Sequence, residues 1–198
     1  MKTILLAGLA CLIITSNVFA GEEDILNVQL AAASLTYVPS IPSQVPREWE
    51  QWEKSTTELI YTVSGTAKKR ATAADIWYES KRAGLDVNIV FVLVEMLSRF
   101  DPYYLSASGQ IGLLQITPVA HEKIGNPENS LYQSKYNLRL GCSLLRMHLD
   151  YSDGDVTKAL TRFFTYASPQ IFPTSRVEEF ISLLHARSIQ LNRNKPDQ

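Results

Sequence analysis

This chain of 198 residues has few cysteines and almost no net charge. Its two cysteines are Cys11 and Cys142, and Cys11 lies in an N-terminal segment that we expect to be removed. One remaining cysteine cannot form an internal disulfide, so Cys142 is expected to be a small buried core residue. The net charge is −1, which gives no reason to expect nucleic acid or an anionic membrane as a partner.

The sequence has few long apolar runs. The apolar run near its start is too short to be a membrane span. Ile4 to Ile14 is apolar but too short to cross a bilayer. It follows Lys2 and precedes Val18-Phe19-Ala20, an arrangement typical of a signal peptide cleaved after Ala20. We therefore expect residues 1–20 to be removed on export to the periplasm or cell exterior, and the mature chain not to span a membrane.

Metal, phosphate and serine-nucleophile motifs are missing as well. The three histidines, His121, His148 and His185, lie far apart and lack the spacing of metal ligands. Neither a phosphate-binding loop nor a nucleophile elbow is found. We therefore expect no metal ion and no cofactor.

Helical patterns dominate from residue 72 onward, and strand patterns are rare. Gly84 is a typical helix stop, Asp86 can cap the next helix, and Thr117 with Pro118 can begin another. Helices are predicted over residues 73–83, 87–100, 137–149 and 156–166. The second is apolar almost all round, so it should be central and buried. We predict an all-α domain over residues 72–190, followed by a loose tail over 191–198.

Residues 21–71 are predicted to form an N-terminal extension. Residues 38–46 contain three prolines, which favours an extended linker. A short helix with two tryptophans is predicted over residues 47–54. These tryptophans either cover the edge of the domain or bind a partner, and packing is the favoured interpretation.

Three sequence blocks carry a recognisable pattern. They read Leu97-Ser98-Arg99-Phe100-Asp101-Pro102, then Ser106-Ala107-Ser108-Gly109-Gln110-Ile111-Gly112-Leu113-Leu114-Gln115-Ile116-Thr117-Pro118, then Asn137-Leu138-Arg139-Leu140-Gly141. In this order and spacing they resemble the soluble lytic transglycosylase (SLT) domain family, which cleaves the glycan strands of bacterial peptidoglycan. The resemblance covers about residues 73–186. It implies a lysozyme-like (goose-type) helical domain with a glycan-binding groove.

The departures from the family pattern are concentrated at the chemistry. The family has Glu-Ser-x-Phe-Asp/Asn-Pro, with the Glu as catalyst, and here that position is Leu97. Phe163 and Phe164 stand where the family has a Tyr-Asn pair. In the family one Glu protonates the glycosidic oxygen and then removes a proton from a muramic acid hydroxyl, and leucine can do neither. The resemblance implies substrate-binding roles for Ser98, Ser106, Gln115, Phe163 and Phe164.

Four carboxylates are candidates for the missing acid. Asp101 follows Leu97 by four residues and so lies near the same helix face, although the family has Asp or Asn there in addition to its Glu. Glu95 is about 200° around the helix from Leu97 and should point away from the groove. Glu79 belongs to the preceding helix, and Glu122 is more simply an exposed first-turn acid. Asp101 and Glu95 are therefore the fallback candidates for catalysis.

Three functions remain open. The favoured one is an exported, non-catalytic homologue (a pseudoenzyme) that binds glycan strands or acts as a scaffold at peptidoglycan. The next is a protein-interaction module with a closed groove, for which the resemblance implies partners in secretion, conjugation or other envelope machines. The last is an active lytic transglycosylase that uses Asp101 or Glu95.

Overall fold

The fold is all-α, as predicted. A computed structural model describes residues 46–65, 69–167 and 174–193. Within these ranges the helices are α1 (Arg47–Ser64), α2 (Lys69–Arg82), α3 (Val87–Ser98), α4 (Pro118–Ile124), α5 (Ser134–Asp150), α6 (Val156–Ala167) and α7 (Thr174–Arg193). The β-structure in the same ranges is limited to two isolated antiparallel bridges, Leu105 with Ile111 and Ile111 with Ile116.

Helix α3 is the central element, and its two ends have different causes. The Asp86 carboxylate accepts a hydrogen bond from the backbone N–H of Asn88 at 2.7 Å, which confirms the predicted cap. The helix ends two residues earlier than predicted because Arg99 and Phe100 both have positive φ. Most of α3 is buried, with α2 on one side and α7 on another.

A second layer is formed by α5, which packs against both α2 and α6. Gly141 permits a close approach of α5 to the loop after α3. A Cβ atom at this position would lie 2.5 Å from Cδ1 of Leu114. The predicted start of α4 is also confirmed, since the Thr117 hydroxyl accepts from the N–H of Ala120 and Pro118 is the first helical residue.

Helix α1 is longer than the short helix predicted and contributes to the core. Trp52 is 9% exposed, lies 5.4 Å from Trp77 between ring centroids and meets Phe91 edge-on. Its Nε1 donates to Oδ1 of Asn88 at 3.1 Å. The tryptophans of this helix therefore pack on the domain. The expected division at residues 71 and 72 stays a prediction, and it falls within α2.

Several predicted segments lie outside the described residues: the signal peptide, the proline-rich linker up to residue 45, and the tail beyond residue 193. The first residues of that predicted tail belong to α7, and Leu191 is buried there. None of the helices in the described ranges is long and apolar enough to cross a membrane.

Candidate functional site

The candidate site begins at the C-terminal end of α3. Leu97 lies in its last turn, half-buried and packed against the core. Arg99 and Phe100 follow with φ of 53° and 63°, a left-handed conformation that non-glycine residues adopt at a cost of about 1–3 kcal/mol each. Phe100 is anchored by its ring, which is 1% exposed and 5.0 Å from Phe91. This anchored turn directs the chain into the loop of residues 101–116.

Asp101 stabilises the start of that loop. Its side chain is exposed and accepts from the backbone N–H of Tyr103 at 2.9 Å, while its own N–H donates to the carbonyl of Ser98 at 3.0 Å. Both bonds fix the turn that ends α3. The carboxylate is thus engaged in its own loop, which matches the helix-end role that the family pattern indicates.

Glu95 is the second fallback acid, and it faces α7. It is 6% exposed and forms a two-point ion pair with Arg187, whose Nε donates to Oε2 at 2.8 Å and whose Nη2 donates to Oε1. The hydrogen bonds that Arg187 donates to Glu95 raise the pKa of Arg187. Because both carboxylate oxygens already accept from a guanidinium, Glu95 is not placed to give a proton to a substrate.

Glu79 and Glu122 lie on helices other than α3. Glu79 is fully buried in α2, with Oε2 2.5 Å from Nε of Arg82 and Oε1 3.2 Å from Nη2 of Arg139. It therefore joins α2 to α5 as a structural ion pair. Glu122 is exposed on α4.

Asn137 of α5 holds the loop beneath the site. Its side chain is fully buried, donates to the carbonyls of Ile111 and Leu131 at 2.9 and 3.0 Å, and accepts from the N–H of Leu114 at 2.8 Å. Gly112 makes this approach possible, since a Cβ there would lie 2.4 Å from Nδ2 of Asn137. Gly112 and Asn137, which belong to two separate motif blocks, are thus in close contact with each other.

Four of the five predicted substrate-binding residues are buried beneath the surface. Ser98, Gln115, Phe163 and Phe164 are only 1–3% exposed. The Ser98 hydroxyl donates to the carbonyl of Val94, and the Gln115 amide donates to the carbonyls of Tyr104 and Gly112. The two phenylalanine rings pack edge to face, with centroids 5.9 Å apart.

These four side chains therefore lie within the domain in this structure. Their predicted part in binding a glycan stays a prediction. Ser106 is half-buried, and its hydroxyl accepts from the N–H of Gln110 at 3.0 Å. Contact between Ser106 and a glycan stays a prediction.

A group of exposed tyrosines, with one exposed leucine, lies near the motif and was not predicted from the sequence. Tyr103, Tyr104 and Leu105 are consecutive and 67%, 44% and 57% exposed. Tyr132, from the loop before α5, is 40% exposed and stacks on Tyr103. The one signal in the sequence that could have indicated a functional role is their position next to motif residues, because isolated exposed tyrosines are common on protein surfaces.

Within the described residues, no group of three or more His, Cys, Asp or Glu side chains lies close enough together to hold a metal ion.

Comparison with known proteins agrees with the motif. Residues 76–167 match the family model described as the transglycosylase SLT domain. No curated protein matches the chain in a sequence search. The matched segment runs from within α2 to the end of α6 and contains Leu97, the loop of residues 101–116 and Asn137. The chain therefore contains a transglycosylase SLT domain over residues 76–167, a lysozyme-like helical domain whose family has a function related to peptidoglycan.

Proposed function

We propose that this protein is an exported, non-catalytic SLT-family member that binds the glycan strands of peptidoglycan. The observation that carries the proposal is Leu97 at the family's catalytic position, together with the engagement of both nearby acids. Asp101 accepts from its own loop, and Glu95 is held by Arg187. General acid–base catalysis contributes about 10²–10⁴-fold to such a reaction, and a leucine side chain cannot provide it.

The framework around the lost catalyst supports a retained binding role. Asn137, Gly112 and Gln115, which match the family's motif, form contacts in the loop of residues 101–116. Arg99 and Phe100, at the end of the helix that carries Leu97, have a strained backbone with positive φ. Strain of this kind is held only where the surrounding packing imposes it, and it clusters at functional sites.

Export is the second part of the proposal. The predicted signal peptide over residues 1–20 would take the protein to the compartment where peptidoglycan lies. An SLT domain is consistent with that location. After cleavage the glycan strands would be its main partner.

The test separates binding from cleavage. Mature protein (residues 21–198) is incubated with purified sacculi, its co-sedimentation is measured, and the supernatant is analysed by mass spectrometry for 1,6-anhydro-muropeptides. We expect sedimentation without release. Release of anhydro products by the wild type would overturn the non-catalytic proposal, and their loss in Asp101→Asn or Glu95→Gln would identify the relocated acid.

A matched pair of variants at the family position tests whether only the catalyst is missing. Leu97→Glu restores a group that exchanges protons, whereas Leu97→Gln has nearly the same size and cannot. Release by the first variant alone would mean that the rest of the cleavage machinery is intact. Inertness of both would mean that the apolar Phe163-Phe164 pair has removed a second requirement.

A second candidate function is a protein-interaction module in an envelope machine. The burial of four predicted sugar-contacting side chains favours it, because these residues offer no polar groups to a glycan. It predicts no sedimentation with sacculi and specific capture of envelope proteins. Comparing chains that start at residues 21 and 46 would show whether the proline-rich segment is the docking element.

A further inference from the structure

The inference concerns an aromatic pair beside the motif loop. Tyr103 lies six residues after Leu97, and Tyr132 lies five residues before Asn137. Their ring centroids are 6.4 Å apart and their planes differ by 29°, so the rings are stacked with an offset. Tyr103 is nevertheless 67% exposed and Tyr132 40% exposed. A large share of aromatic surface therefore faces solvent although the rings support each other.

Hydrogen bonds hold the main chain that carries both tyrosines. The N–H of Tyr103 donates to the Asp101 carboxylate, and the next carbonyl, that of Tyr104, accepts from Gly112 and from the Gln115 amide. The N–H of Tyr132 donates to the Ser130 hydroxyl at 3.3 Å. The backbone beneath the stacked rings is thus bonded within the domain.

Asn137 connects the two loops that carry the pair. It bonds the carbonyl of Leu131, directly before Tyr132, and the carbonyl of Ile111 in the loop of Tyr103. Its buried side chain therefore sets the distance between the loops. Groups held in place in this way lose less conformational entropy on binding, so more of their contact energy appears as affinity.

The chemistry of the pair fits a sugar ring. One face of a pyranose consists of C–H groups that are weakly positive, and an aromatic face carries a negative quadrupole. The phenolic hydroxyls at the ring edges can donate to and accept from sugar hydroxyls. Tyrosine also provides this contact with little loss of side-chain freedom. No proton transfer is needed, so the loss of the family's catalyst at Leu97 does not affect this role.

We propose that Tyr103 and Tyr132 form an aromatic platform that holds a pyranose ring of an N-acetylated amino-sugar strand. Tyr104 and Leu105, which follow Tyr103 and are also exposed, extend the apolar surface along the same loop. Contiguous exposed apolar surface of this kind marks binding sites more often than chance exposure does. The inference rests on the proposed glycan-binding function and names the side chains that provide it.

The test measures binding to sacculi for wild type and three platform variants. Tyr103→Ala and Tyr132→Ala should each raise the dissociation constant roughly tenfold, because each removes one stacking face. Tyr103→Phe keeps the ring and should stay within about twofold of wild type. A soluble β-1,4-linked N-acetylglucosamine tetramer should compete with sacculi for the wild type. Far-UV circular dichroism and the urea midpoint establish that each variant is folded.

Tyr151→Ala is the matched control, because Tyr151 is 55% exposed at the C-terminal end of α5, far along the chain from the motif loop. It should bind as the wild type does. If the wild type binds sacculi and both platform alanine variants bind equally well, the platform is overturned and the proposed function stands. If the wild type does not bind, both fail. Loss of an envelope-protein partner in the alanine variants, with sacculus binding unchanged, would also overturn the platform and assign the surface to a protein.

Discussion

Removal of the Arg187 guanidinium should destabilise the protein through the carboxylate that it leaves behind. Glu95 is 6% exposed and the Arg187 side chain 21% exposed. Breaking a buried ion pair by removing one partner costs about 3–5 kcal/mol, because the other charge stays desolvated. Water reaches part of Arg187, so we expect about 2–3 kcal/mol for Arg187→Met. For a chain of this size that lowers the melting temperature by about 4–12 °C.

Urea unfolding followed by tryptophan fluorescence measures the change, with circular dichroism as a second probe. The double variant Glu95→Met/Arg187→Met removes both charges and should recover most of the loss, because apolar side chains of similar volume replace a buried pair at little cost. Arg146→Met is the matched control. It breaks an exposed pair with Asp150 on α5 and should cost at most about 0.5 kcal/mol. The reasoning is refuted if the double variant is less stable than Arg187→Met.

Three further predictions concern titration, truncation and thiol access. Burial lowers the pKa of His148 to about 4 from 6.5, so between pH 6.5 and 4 the unfolded chain binds a proton that the folded one does not. The free energy of unfolding should fall by about 2–3 kcal/mol across that window in urea titrations, and His148→Gln should lack this component. A chain starting at residue 66 lacks α1, so its free energy of unfolding should be about 5 kcal/mol lower than that of a chain starting at residue 46, because the buried Trp52 surface is lost. Equal urea midpoints for the two chains would contradict this. Burial raises the pKa of the Cys142 thiol, so a thiol reagent at pH 8 should label it only after unfolding, and rapid native labelling would disprove its burial.

The helices were predictable because their ends carry local signals. Asp86, Thr117 and Pro118 act within one turn of themselves, and the structure uses all three as predicted. The end of α3 was misplaced because its cause is not local. Arg99 and Phe100 take a left-handed conformation that neither residue prefers, and the packing of the Phe100 ring against Phe91 holds it.

The motif residues of the site could be predicted from the sequence, but their burial and their side-chain partners could not. Pattern matching found Gln115 and Ser98, yet it could not show that their polar groups bond to the backbone of the domain itself. Nor could it find the partner of Glu95, since Arg187 is 92 residues away in sequence. The stacking of Tyr103 on Tyr132 could not be predicted either, because it depends on a contact between two loops that are distant in sequence. Asn137 bonds to both of these loops.

Helix α3 is held by helices from both ends of the chain, and this limits how the domain can be exchanged. Trp52 of α1 bonds Asn88, and Arg187 of α7 holds Glu95, yet both partners lie outside the matched residues 76–167. The segment defined by homology is therefore shorter than the cooperative folding unit. A chimera that imports an active-site helix would leave Trp52 and Arg187 without their partners unless the imported helix carries side chains equivalent to Asn88 and Glu95. Such a graft should be more stable when α1 and α7 are transferred with it.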